Sequence, residues 1–199
     1  EGRRWLADLP AVTIDQRIQV RQAEASLLRE AGDLPGAYAV LEQGLAEFPD
    51  APDLIYDSAM LAEKLDRLDV AEARLKRLVE LKPDDAQALN ALGYTLVDRT
   101  SRAEEGRALI ERALKLAPDD PFILDSMGWA LFKLGRYDEA LDYLGRAFAG
   151  RPDAEIAAHL GEVLWVKGEK TRAKEIWAAQ LRDSPDHPVL LETMRRLSR

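Results

Sequence analysis

No cysteine occurs in the 199-residue chain, which removes disulfides, thiolate zinc sites, iron–sulfur clusters and cysteine nucleophiles together. Histidine occurs only as His159 and His187. His159-Leu160-Gly161-Glu162 sets a histidine and a carboxylate one turn apart, but two further metal ligands would have to come from elsewhere. His187, before Pro188, reads as a turn residue at a helix start. No run approaches the roughly 20 apolar residues of a membrane-spanning helix. Basic residues are outnumbered 28 to 36, a net charge of −8, which argues against wholesale wrapping of nucleic acid or anionic membrane. The glycines form no GxGxxG, and Gly145 to Gly150 runs into Arg151-Pro152 rather than the Lys-Ser/Thr of a phosphate loop. No GxSxG elbow appears. Asp84-Asp85 and Asp119-Asp120 lack the alternating oxygen ligands of a calcium loop. They stand where helices must be capped, and capping is the simpler role. Neither metal, cofactor nor catalysis is expected.

What is present is globular composition: 47% hydrophobic and 32% charged residues, too apolar for a disordered chain and enough for one or two ordinary domains. The chain begins at Glu1 without a basic-then-apolar leader, and the expectation is a piece of something longer. Trp5, Leu6 and Leu9 before Pro10 read as the tail of an earlier helix.

The main signal is a repeat. Pro49, Pro83, Pro118, Pro152 and Pro185 are spaced 34, 35, 34 and 33, each followed by Asp. A column of small residues, Ala37, Ala71, Gly106, Ala140 and Ala173, runs 12 residues ahead of them. Ala25, Ala59, Gly93, Gly128 and Gly161 form a third. One extra residue lies between Gly93 and Gly106 and one is missing between Pro152 and Gly161; both irregularities are expected at connections. Within the fourth period Leu124, Met127, Gly128 and Leu131 form one helical stripe, and Ala140, Leu141, Leu144 and Ala147 another, split by Gly135-Arg136. That pattern predicts a helical hairpin whose helices approach closely at the small residues. Each Pro-Asp should end one hairpin and cap the next, with Asp120 as N-cap before Pro121. Ser101-Arg102-Ala103-Glu104 fits a capping box.

These residue types at these spacings resemble the tetratricopeptide repeat (TPR). The match is best in the fourth period, at Leu124, Gly128, Gly135, Tyr137, Ala140, Leu144, Ala147 and Pro152; in the first two, Arg21 and Glu24 occupy usually apolar positions. The resemblance implies an all-α, right-handed α-solenoid: an N-terminal segment at 1–16, remnant of an upstream repeat, five hairpins over 17–186 and a capping helix at 187–199. Val189, Leu190, Leu191, Met194 and Leu197 give that last helix an apolar face, with Glu192, Arg195, Arg196 and Arg199 toward solvent, the three arginines as partners of the helix dipole. Trp177 stands at a core position of the family.

In TPR arrays the first helix of each hairpin lines a concave groove that binds peptides or helices. Placed on that pattern, one row holds Gln22, Tyr56, Asn90, Asp125 and Ala158. The next holds Ser26, Met60, Tyr94, Trp129 and Glu162, and a third Arg29, Glu63, Val97, Phe132 and Trp165. Tyr56, Met60, Tyr94, Trp129, Phe132 and Trp165 are candidate partner anchors off the intra-hairpin stripe, and Asn90 and Asp125 candidates to orient a peptide backbone. The clamp with which some members hold a carboxylate needs Lys and Asn where this chain has these other residues.

The runs Ala88 to Leu96, Asp125 to Phe132 and Ala157 to Trp165 further resemble the C-terminal region of proteobacterial TPR lipoproteins, over about Lys82 to Met194. That resemblance implies a non-enzymatic adaptor, held at the periplasmic face of the outer membrane by a lipid anchor outside this chain, which brings substrates to a carboxyl-terminal processing protease. A cytoplasmic scaffold, a self-associating structural module and a regulatory domain of a larger enzyme are the alternatives.

Overall fold

The computed structural model describes residues 13–197; Trp5, Leu6, Leu9 and Arg199 lie outside them. Among the described residues it is all-α, with eleven helices and no strand. They fall into two compact units that divide between Pro83 and Asp84.

The first unit holds α1 (Ile14–Glu30), α2 (Leu34–Glu47), α3 (Pro52–Lys64) and α4 (Leu68–Leu81). Each helix packs on the next, and α1 also touches α3. Ala37, Ala71 and Ala59, from the small-residue columns, are fully buried, as the close approach of paired helices requires. The polar residues of the degenerate first period have found partners. Glu24, only 6% exposed, pairs with Arg21 at 3.4 Å, and Arg21 reaches Glu47 at 3.2 Å. Arg17 joins the same Glu47. An apolar stripe is thus replaced by an ion network linking α1 to α2.

The second unit holds α5 (Ala86–Arg99), α6 (Ala103–Leu116), α7 (Pro121–Lys133), α8 (Tyr137–Gly150), α9 (Ala154–Val166), α10 (Lys170–Asp183) and α11 (Pro188–Leu197). Hairpins α5–α6, α7–α8 and α9–α10 stack so that the first helices α5, α7 and α9 lie side by side, and α11 covers α9. A Cβ on Gly93 would stand 2.6 Å from Ile110 Cγ1 and 2.8 Å from the Gly106 carbonyl, so the first of these pairs tolerates nothing larger than hydrogen. At Gly161 the Trp177 indole occupies that space. Trp177 is 1% exposed and donates its N–H to the Ala157 carbonyl at 3.1 Å, which satisfies the polar tip of a buried aromatic. Leu190 and Thr193 are the buried residues of α11.

Capping follows the expected chemistry with shifts of position. Asp85, Asp120 and Asp153 accept amide hydrogens at the starts of α5, α7 and α9; in the first two cases the cap is the second Asp after the proline, because a turn intervenes. Asp50 caps nothing and binds Arg77 at 2.8 Å. The capping box expected at Ser101 to Glu104 does not form. Arg102 is the N-cap of α6 and makes no side-chain capping bond, its guanidinium pairing with Glu105 instead, and Thr100 Oγ1 takes the Arg102 amide. A capping box does form at Thr13 and Gln16.

The two length irregularities have different origins. The missing residue falls in a connection, as expected: residues 151–153 link α8 to α9 where 117–120 link α6 to α7. The extra one is absorbed inside α5, which has 14 residues against 13 in α3, α7 and α9. The hairpin turns at Gly32, Asp66, Gly135 and Gly168 all use a left-handed residue, φ 59 to 90°. The turn after α5 uses the extended Thr100 instead.

Candidate functional site

In the first unit α1 and α3 run in the same direction, because each is antiparallel to α2. Between them opens a pocket of about 400 Å³. Its floor is apolar, Ala25, Leu41 and Leu61 being buried. Tyr56 and Met60 of α3 form one wall and Gln22 and Ser26 of α1 the other. The sequence rows Gln22/Tyr56 and Ser26/Met60 therefore meet in one cavity. Gln22 donates to Asp57 at 2.8 Å across its inner end. Arg29 and Lys64, in the last turns of the two helices, line the other end.

In the second unit the three first helices are cross-linked by polar and aromatic side chains one repeat apart. Trp129 of α7 is 6% exposed and donates its indole N–H to Asp98 of α5 at 2.9 Å. Its ring stacks on His159 of α9, centroids 4.2 Å apart and 21° between planes. His159 in turn donates Nδ1–H to both oxygens of Asp125 on α7, at 3.0 and 2.9 Å. Tyr94 of α5 stands 6.3 Å from the same imidazole, Phe132 lies 5.0 Å from Trp129, and Lys133 lies over the Trp129 ring at 5.1 Å. Burial disfavours charge on His159, but the surrounding carboxylates together outweigh it, Asp125 first through its charge and its hydrogen bond and then Asp98 and Glu155 through their charge, and the imidazole is raised above its ordinary pKa. On α9, Glu162 is 5% exposed and held by Arg196 of α11 at 2.5 Å.

The candidate residues thus serve different roles. Tyr56 and Met60 line an open pocket. Trp129 and Asp125 are committed inside the wall, Asp125 with both oxygens engaged by His159 rather than turned to a ligand. Asn90 is half-buried on α5, and its Oδ1 has no hydrogen-bond partner among the described residues. Trp165 is half-buried and stacks on Trp177 of its own hairpin at 5.6 Å, and Phe132 meets Tyr137 of its own hairpin at 5.8 Å. These two therefore do touch the second helices, contrary to the sequence expectation. Lys170 and Lys174 lie 4.9 and 5.7 Å over the Trp165 ring. Asp98, Lys133 and Asp57 are not singled out by the sequence, and His159 is weighed there only as a metal ligand. The available signal was the repeat itself, since His159 follows Asp125 by 34 residues and Asp57 follows Gln22 by 35.

Among the described residues no group of three or more His, Asp and Glu could hold a metal, and no helix is long and apolar enough to cross a membrane.

Family models described as tetratricopeptide repeat match residues 28–93 and 126–188. A TPR repeat-containing protein of Pseudomonas aeruginosa is 45% identical over 148 residues, 74% of this chain but 25% of that protein; the chain spans about a quarter of that relative's length. Among solved structures, a thermophilic TPR protein of Thermus thermophilus aligns with a TM-score of 0.79 at 23% identity, over 90% of this chain and 96% of that one. YrrB, described as a TPR protein with an unusual peptide-binding site, aligns at 0.59 and 19% identity over 94% and 100%. MamA of Desulfovibrio magneticus RS-1 aligns at 0.65 and 17% over 85% and 97%. Repeat columns, hairpin packing and these matches agree: the chain belongs to the tetratricopeptide repeat family, whose α-solenoid fold suggests a protein–protein interaction scaffold and is typically non-catalytic.

Proposed function

We propose that the chain is a non-enzymatic scaffold that binds a peptide or partner protein against the faces formed by the first helices of its hairpins. One observation carries the proposal: the residues that the repeat pattern puts on that face converge, in the first unit, on a preformed pocket of about 400 Å³ with an apolar floor and polar rim, the composition of a small recognition site. In the second unit the corresponding face is stiffened by the Asp98–Trp129–His159–Asp125 chain of contacts. A stiff wall loses little entropy on binding. The peptide-binding site in the description of YrrB, a protein of the same fold, supports the reading.

The resemblance to proteobacterial TPR lipoproteins extends the proposal to an adaptor in the cell envelope that presents substrates to a carboxyl-terminal processing protease. The test compares wild type with a Tyr56→Ala/Met60→Ala variant and a Trp165→Ala variant as baits in bacterial envelope and cytosolic extracts, with helicity checked by circular dichroism. A protease or its substrate retained by wild type and lost from folded variants is the expected result. A partner retained equally by all three baits moves binding to another surface, and one found only in cytosol removes the envelope assignment.

A further inference from the structure

The pocket between α1 and α3 is chemically graded along its length. At its inner end Gln22 and Asp57 satisfy each other. The middle is apolar. At the open end stand two exposed cations, Arg29 and Lys64. Among the described residues neither has an ion-pair partner, and Arg29 makes only a 3.3 Å bond to Ser26 Oγ. By contrast Arg17, Arg21, Arg74 and Arg77 of the same unit all pair with carboxylates, and Arg67 lies over the Tyr38 ring at 4.8 Å. Cations in the last turn complement the helix dipole, which accounts for their place in the helix. It does not account for two of them converging on the mouth of an apolar cavity.

Resting on the peptide-binding reading above, we propose that this pocket selects an extended segment within a chain that carries a large apolar side chain and, two residues further on, an Asp or Glu. In an extended strand residues i and i+2 share a face about 6.5–7 Å apart. Along α3, Met60 and Lys64 are four residues apart, about 6 Å of helix rise. An apolar side chain over Met60, Ala25 and Leu61 thus brings the carboxylate two residues on to Lys64 and Arg29. The chain's net charge of −8 opposes an acidic ligand at long range, so selection rests on these two local cations.

The test is titration of the ¹⁵N-labelled full chain with four short peptides: end-blocked Leu-Ser-Glu, Leu-Ser-Gln and Leu-Ser-Lys cores in a Gly/Ser frame, and the same frame ending in Leu with a free carboxylate. The Glu peptide is expected to bind about tenfold more tightly than the Gln peptide, with shifts at Ser26, Met60 and Lys64. Arg29→Gln/Lys64→Gln, both at exposed positions, should erase that preference. Arg29→Glu/Lys64→Glu should transfer it to the Lys peptide. Equal binding of Glu and Gln peptides with shifts at the pocket overturns the charge selection and leaves the peptide-binding reading standing. Tightest binding of the free-carboxylate peptide overturns the internal segment in favour of a chain end. No binding of any peptide to a folded chain overturns the proposal; whether the peptide-binding reading falls as well is decided by the extract comparison, according to whether capture still depends on Tyr56 and Met60.

Discussion

At the scale of single residues, the second unit is held by a few long-range pairs that carry a consequence for pH. The His159 pKa is raised in the folded chain, where Asp125, with Asp98 and Glu155, outweighs burial. A raised folded pKa stabilises the fold fully below the unfolded value, near 6.5 for histidine, and that contribution is lost as pH rises through the folded value. Thermal unfolding followed from pH 6 to 9 should therefore show a stability decline that is smaller in His159→Gln. An identical decline in both proteins would show that the buried pair does not set it. The pair was hard to read from sequence because Asp125 sits in a ligand-facing row of the repeat and His159 one place beyond such a row. Only the register between neighbouring hairpins brings them together.

At the scale of elements, the hairpin was legible because its requirements are local. Small residues at Gly93, Gly128 and Gly161 and prolines at fixed intervals are dictated by helix approach and helix termination, and the turns by backbone geometry. Gly135 has φ +76° with open space where a Cβ would stand. Gly135→Ala should therefore lose about 1–2 kcal/mol from left-handed strain alone, measurable by urea unfolding, and Gly145→Ala, mid-helix with no close neighbour, should be neutral or stabilising. Equal effects at the two sites would contradict the turn assignment. The turn after α5 was not legible, since Thr100-Ser101 bears no glycine and the extra residue joined the helix rather than the loop. The last helix gives a further check. Leu190 is fully buried on α11, which packs on α9, so Leu190→Ala should cost about 2–5 kcal/mol. A loss near zero would mean that α11 does not seal the end of the second unit.

At the scale of the whole molecule, composition settled the class and the repeat settled the family, while the partner is recorded in neither. Repeat stacking leaves the ligand-facing rows of α1 and α3 accessible at Gln22, Ser26, Tyr56 and Met60, whereas the same rows of α7 and α9 are buried at Asp125, Trp129, Ala158 and Glu162, and what an accessible row binds depends on residues the fold leaves free to vary. In the first unit those residues make an open, graded pocket; in the second they include the pairs that tie the helices together. This is why the aromatic row could be found in sequence while the division between anchors and struts could not. The central claim is that partners meet the first-helix face. The most direct measurement replaces Met60, on that face, by a photo-crosslinking amino acid, and in a second protein replaces Lys76, exposed on the second helix α4. Each protein is then irradiated in bacterial extract. Discrete adducts from position 60 and none from position 76 are the predicted result; adducts from position 76 alone would contradict the account.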